Sequence, residues 1–258
     1  MSRNEYLLSE LTWEDAEAAY KQADFVALPT GSHEQHSIHL PLAVDSIRAE
    51  EMTNALIEAA TDHGLEIYRL PVLQYGQSEH HMHFPGTVSI APRVYEDSLI
   101  EIGSSLARHN VDRFLIVNCH GGNRAPIDTA ADRLQREYGL PTHVINWTSY
   151  AMKYLQDEFE EQFGEWFAGE LPEWGHAGDH ETSIIELYRP DLVKEDKKED
   201  QSQYPKPKTR SYEYFEELTD QGGLGDPRNS DPEFVERMIE EATTHMLEDL
   251  RADIDDRE

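Results

Sequence analysis

The sequence is short of cysteine, of basic residues and of long apolar runs, and each shortage excludes something. A single cysteine, Cys119, cannot form an intrachain disulfide and suits a reducing compartment. Only 22 Lys and Arg stand against 52 Asp and Glu, a formal net charge of −30 in 258 residues. Phosphate backbones and anionic lipids are bound through basic patches, so neither nucleic acid nor a membrane is an expected partner. The acidic residues are spread along the chain rather than held in a tail, the pattern of a halophilic surface solvated in concentrated salt. The N-terminus, MSRNEYLLSELTWEDAEAAY, has no apolar stretch of signal-peptide or membrane-span length, and a soluble cytoplasmic protein is expected. Internal repeats and Ser/Gly-rich linkers are absent. With 38% hydrophobic residues the chain can bury one substantial core, and a single domain over residues 1–258 is expected.

What is present begins with an alternation of strand and helix patterns. Thr12 followed by Asp15 reads as a helix start, with the helix running to Lys21. Phe25 to Leu28 reads as a short buried strand. Ala49, Met52, Leu56 and Ala60 recur at helical spacing between Asp45 and His63, and Gly64 is a natural stop. A second strand is expected over 66–73, shortened by Pro71. A helix carrying Leu99, Ile102 and Leu106 follows, then a strand from Arg113 to Asn118, a helix from Arg124 to Tyr138, a strand over 142–147 and a helix from Ser149. Thr182 and Ser183 open another helix, residues 190–230 read as a polar surface excursion, and a closing helix starts with Asp231 as cap and Pro232 first. This order predicts an α/β fold of three layers, a mostly parallel sheet with helices on both faces. Ligands of such sheets bind at the carboxyl ends of the strands.

Four loops carry residue types suited to chemistry. In GSHEQHSIHLPLAVD (31–45), His33 and His36 are three apart, not the four that a protease HExxH helix needs, and Pro29, Gly31 and Pro41 argue against a helix. In extended backbone Glu34 and His36 share a face, and with Asp45 they form a ligand set for a Zn²⁺- or Mn²⁺-class ion; a solvated polar loop is the plainer reading. The third strand ends in Asn118, Cys119, His120, Gly121, Gly122 and Asn123, where backbone N–H groups could meet a developing oxyanion or simply make a strand-to-helix turn. In GHAGDHETS (175–183), Glu181 falls in the first turn of a helix, where it also serves the helix dipole, with His176 before it. Ser78, Glu79, His80, His81 and His83 lie in SEHHMHFPGT and line either a pocket or solvent. Cys119 and His120 are adjacent in extended chain and point apart, so a thiol–imidazole pair is not expected.

Together LPTGSHEQHSIHLPLAVD, GQSEHHMHFPGT, IVNCHGGN and GHAGDHETS, followed by GGLGDP, resemble the creatininase (creatinine amidohydrolase) family in order and spacing over residues 25–230. The resemblance implies a creatininase-like α/β fold, a homohexamer, and two divalent metal ions per subunit, Zn²⁺, Mn²⁺ or Fe²⁺. It places Glu34 and His120 on one ion and His36 and Glu181 on the other, with Asp45 bridging. It implies that a metal-bridged hydroxide attacks a C–N bond of a small-molecule substrate, a cyclic amide or formamide, and that His176, with Glu181 as the second candidate, carries the proton. Ser78, His80, Gly121, Gly122 and Asn123 then bind substrate. Family members that act on creatinine carry bulky and acidic residues directly after the third-motif His, and that acid is a metal ligand; Gly121 and Gly122 stand there in this chain. Glu181 is the carboxylate left to replace it, and creatinine itself becomes a doubtful substrate. The HGGN form is shared by relatives that resemble formamidopyrimidine-nucleotide deformylases of flavin and deazaflavin biosynthesis and peptidases maturing a peptide-derived redox cofactor. A non-catalytic nucleotide- or anion-binding module is the alternative outside enzymes, weakened because the chain has neither a GxGxxG fingerprint nor a P-loop lysine.

Overall fold

The structure is a computed structural model that describes residues 6–163, 175–202 and 213–255. Four strands, β1 (Phe25–Thr30), β2 (Ile67–Arg69), β3 (Phe114–Asn118) and β4 (Thr142–Asn146), form a parallel sheet in the order β2-β1-β3-β4. β2 is shorter than expected: Pro71 cannot donate to a ladder, and regular pairing with β1 ends at Ala27↔Arg69. β1 runs on through Pro29, although it is a central strand. Its carbonyl accepts from Leu73 at 2.9 Å, so its missing N–H lies on that same side, past the last β1–β2 pair.

Eight α-helices surround the sheet among the described residues: α1 (Trp13–Gln22), α2 (Val44–Ala60), α3 (Pro92–Arg108), α4 (Arg124–Tyr138), α5 (Trp147–Phe163), α6 (Asp179–Tyr188), α7 (Phe215–Leu218) and α8 (Pro232–Asp255). Alternate strand residues face opposite ways. Phe25, Ala27, Leu115 and Val117 join a core with α2, α5 and α8, while Val26, Leu28, Phe114 and Ile116 join a second core with α3 and α4. Each fully buried Phe or Leu adds about 1.5–3 kcal/mol, so these two apolar layers set the fold.

Local signals account for most boundaries. Thr12 caps α1 by accepting from the Asp15 N–H at 3.3 Å, and Asp231 caps α8 by accepting from the Phe234 N–H at 2.9 Å. After α2 a short 3₁₀ turn ends at Gly64 in the left-handed region, φ 69°. α5 begins at Trp147 rather than at Ser149 because Trp147, 1% exposed, is drawn into the core directly from β4. α6 begins at Asp179, three residues before Thr182, and Glu181 still lies in its first turn. The largest difference concerns residues 190–230. Residues 203–212 lie outside the described ones, but Gln201, Phe215, Thr219 and Gly222 to Gly225 are buried rather than on the surface. Leu224 pairs with His176 through two backbone hydrogen bonds, of 3.0 and 2.7 Å. No helix among the described residues is long and apolar enough to cross a membrane.

Candidate metal centre

The chain leaves β1 to build β2 on one side, and β3 then pairs on the other side of β1, so the loops after β1 and β3 diverge at a topological switch point. A row of polar side chains closes the sheet there. Thr30 donates to the Asn118 side chain at 3.0 Å, and Asn118 donates to Asn146 at 2.8 Å. Asn123 ties three loops together, its amide nitrogen donating to the Gly31 carbonyl at 2.9 Å and its oxygen accepting from the Gln77 N–H at 3.0 Å. Glu34 and His36 come from the loop after β1, Asp45 from the first turn of α2, His120 from the end of β3, Glu181 from the first turn of α6 and His176 from the loop before it.

These side chains converge, all buried except Glu181, which is partly exposed. His120 Nδ1 lies 3.1 Å from Asp45 Oδ2 and 3.4 Å from Glu34 Oε1. His36 Nε2 lies 3.6 Å from Asp45 Oδ1 and 3.6 Å from Glu181 Oε2. The outcome is two ligand sets, Glu34–Asp45–His120 and His36–Asp45–Glu181, with Asp45 in both. Two further sets are close enough to consider, Glu34–His36–His176 and Glu34–His80–His81.

The residues fit metal ions on three counts. The outer nitrogen of each ligating ring donates to a backbone carbonyl, His36 Nδ1 to Glu34 at 3.2 Å and His120 Nε2 to Gln77 at 2.9 Å. A carbonyl cannot donate, so each outer nitrogen carries a hydrogen and the inner nitrogens are the ones turned to the carboxylates, where a metal ion can replace a proton, the usual support of a metal-bound imidazole. His36 Nε2 and Asp45 Oδ2 are buried with no hydrogen-bond partner among the described residues. Ligands on bonds of about 2.0–2.2 Å at the tetrahedral angle stand about 3.4 Å apart, which is the range of the nitrogen–oxygen separations here. The donors are nitrogen and oxygen only, suiting Zn²⁺, Mn²⁺ or Fe²⁺.

Electrostatics follow from that crowding. Burial pushes Glu34 up to about 7. Burial opposes charge on His36 and His120, but Asp45 with Glu181 for the first, and Glu34 with Asp45 for the second, lift both rings to about 9. Burial works against the Asp45 charge as well, yet His36 and His120 hold it well below the usual carboxylate range. His176 goes the other way: burial, then the His36 charge, push it down to about 3, so it is neutral. Its Nε2 donates to the Gln35 carbonyl at 2.7 Å, which turns a bare Nδ1 toward Glu34 Oε1, 3.9 Å away.

The other expected site residues occupy varied places. Ser78 is buried and shares a short hydrogen bond with Ser32, which donates to Glu34 at 3.4 Å. The His80 ring stacks on His120 with centroids 6.1 Å apart, half-buried. Gly121 is exposed with open space around its α-carbon, whereas a side chain at Gly122 would collide with the Gln77 carbonyl and the His120 ring. This loop therefore has no room for a residue-122 carboxylate, and Glu181 completes the second set. Asn123 is fully buried with both amide ends engaged by the protein. His83 is exposed and paired with Glu216, and the Cys119 thiol, buried, is pushed up to about 12, which leaves it inert.

The sequence reading missed Arg48, one turn after Asp45 on the same helix face. It is 3% exposed and holds Glu181 Oε1 in a short ion pair, Asp45 Oδ1 at 3.4 Å, the Cys119 carbonyl at 3.3 Å and Thr148 at 2.7 Å. Phe215, whose ring centroid is 4.0 Å from His81 and 5.0 Å from His176, was missed as well. The Asp45–Arg48 spacing was a usable signal for the first; for Phe215 the sequence offers none.

The creatininase family model, described as creatinine amidohydrolase, matches residues 9–250. The chain is 30% identical over 213 residues to the creatinine amidohydrolase of Pseudomonas putida, covering 75% of each chain. It is 30% identical over 178 residues to the mycofactocin precursor peptide peptidase of Mycolicibacterium smegmatis, covering 67% of this chain and 62% of that one, less than two thirds of its length. A solved structure described as creatininase Mn superposes with a TM-score of 0.83 at 25% identity, covering 96% of this chain and 98% of that one. The chain belongs to the creatininase family of metal-dependent amidohydrolases.

Proposed function

We propose that the protein hydrolyses a non-peptide C–N bond, in a cyclic amide or a formamide, at a centre of two divalent ions. The observation that carries this reading is the pair of ligand sets sharing Asp45, each with the inner nitrogen of an imidazole facing carboxylates. Glu34, Asp45 and His120 would hold one ion, and His36, Asp45 and Glu181 the other. Two such ions supply Lewis acidity at an amide carbonyl and a water acidic near neutrality.

The chain's own residues do the rest. Arg48 fixes one oxygen of Glu181 and leaves the other facing His36. His176, with a bare Nδ1 turned to the centre, is placed to carry a proton to the leaving nitrogen. Gly121 leaves the approach open, and His80 lies beside the Gly121–Gly122 turn. A peptidase acting on a short peptide precursor is the second reading, favoured by the identity to the mycobacterial peptidase. A formamidopyrimidine deformylase is a form of the first.

A panel of cyclic amides, formamidopyrimidine nucleotides and short peptides separates these readings, run with wild type and Asp45→Ala in parallel. Turnover of one class by wild type and none by the variant is the expected result. Equal turnover by both proteins would place the chemistry elsewhere.

A further inference from the structure

Five histidines crowd the centre, and Gln35, in the motif but absent from every ligand set, touches two of them. Its side chain is 4% exposed, and backbone groups of fixed polarity orient its amide. The oxygen accepts the Ser37 N–H at 2.8 Å and the nitrogen donates to the Gly222 carbonyl at 2.9 Å. Reversing the amide would set two donors together and two acceptors together, so the nitrogen end is the one that reaches His81 Nδ1 at 2.8 Å.

Protons on both rings then follow by elimination. The amide nitrogen has two hydrogens, one on Gly222 and the other on His81 Nδ1. His81 Nδ1 is therefore an acceptor, and the ring's hydrogen must sit on Nε2, which faces Glu34 Oε1 at 3.4 Å. A neutral ring in that form has no lone pair on Nε2 to give a metal. The amide nitrogen also approaches His176 Nε2 at 3.1 Å but has no hydrogen left for it; that nitrogen donates instead to the Gln35 backbone carbonyl at 2.7 Å. The loop of Gly222 is part of the device. A Cβ at Gly222 would run into the Gln35 amide, and the neighbouring Leu224 pairs with the His176 backbone.

We propose that Gln35 is a positioning residue that divides the work of two stacked histidines, through its side-chain amide and its own carbonyl. It holds His81 as an Nε2–H donor to Glu34, outside the ligand sets, and leaves His176 with a bare Nδ1 toward the reacting centre. Of the four sets close enough to bind an ion, Glu34–His80–His81 is thereby removed. The functional consequence rests on the metal-centre reading; the ring protons do not.

The test reads those protons directly. Long-range proton–nitrogen NMR on ¹⁵N-histidine-labelled, metal-free protein distinguishes a protonated from a bare ring nitrogen, with His81→Asn and His176→Asn identifying the two rings. Wild type should show both rings protonated at Nε2. In Gln35→Glu the carboxylate can only accept, so the His81 proton should move to Nδ1; in Gln35→Met, with no partner, the His81 signals should become averaged. Cobalt titration of the same proteins should show affinity about 10- to 100-fold weaker in Gln35→Glu, the usual effect of losing a hydrogen bond to a ligand. A wild-type His81 protonated at Nδ1, ring signals unmoved in both variants, or unchanged cobalt affinity beside moved signals would each overturn the proposal. Wild type that takes up no cobalt fails the metal reading separately, because the ring protons are read without metal.

Discussion

Asp45 stands between the inner nitrogens of two imidazoles, one at each of its oxygens, 3.6 and 3.1 Å away. Removing it takes a shared ligand from both sets at once. Asp45→Ala should hold less than one ion per chain and lose at least about 1,000-fold in kcat/KM, the several kcal/mol that metal assistance supplies; metal analysis beside kinetics checks it. His176→Gln should behave differently. It should keep its metal content and lose kcat by about 10²–10⁴-fold, the worth of a positioned proton carrier, and a parallel fall in metal content would instead make His176 a ligand. Arg48 is a third kind of residue. Its buried guanidinium offsets Glu181, so Arg48→Met should destabilise the metal-free protein by about 3–5 kcal/mol, and added Zn²⁺ should recover much of that loss by restoring positive charge beside Glu181. Denaturant midpoints with and without metal measure this.

At the scale of elements, the site is a property of loops that the sheet aims at one point. The strands hold Thr30, Asn118 and Asn146 in one row, and the loops that follow are locked by Asn123 to Gly31 and Gln77. Gly122 is the tightest of these joints. Gly122→Ala should force the loop off Gln77 and displace His120, lowering metal affinity more than a comparable change at exposed Gly121; paired titrations of the two variants test it. This contrast also shows what the sequence could and could not say. Helices α2 and α8 were legible because an apolar face repeats and Gly64 or Asp231 punctuates them. Glu34, His36 and Asp45 stood out as a possible ligand set because ligand chemistry restricts residue type, whereas His120 and Glu181 joined them only through the resemblance of the four motifs to a known family. The 213–225 segment was not, because its polar, glycine-rich composition reads as solvated while its burial depends on a long-range pairing of Leu224 with His176. Gln35 acts through partners far along the chain, and nothing local in the sequence distinguishes it from a surface residue.

At the scale of the whole molecule, two charge effects have opposite ranges. The net charge of −30 is spread over a surface where salt screens it, so raising NaCl from about 0.1 M to about 2 M, which shortens the screening length below about 3 Å, should raise Tm. The buried centre is beyond that screening and depends on pH. His36 and His120, ordinarily near 6.5, are lifted to about 9 in the metal-free protein. A raised folded value gives stability that is complete below the unfolded value and is lost as pH climbs through the folded one. Metal-free protein should therefore lose Tm between pH 7 and pH 9. Metal-loaded protein should not, because the ions take the place of those protons, and metal affinity should strengthen over the same interval.

The most direct measurement is elemental analysis of protein purified in high salt without chelator, expressed as metal per chain. About two equivalents of Zn, Mn or Fe, as a two-metal hydrolase centre requires, is the result the shared-Asp45 geometry predicts. Protein that carries no metal, and takes up none on titration, would contradict the assignment of these carboxylates and histidines as ligands.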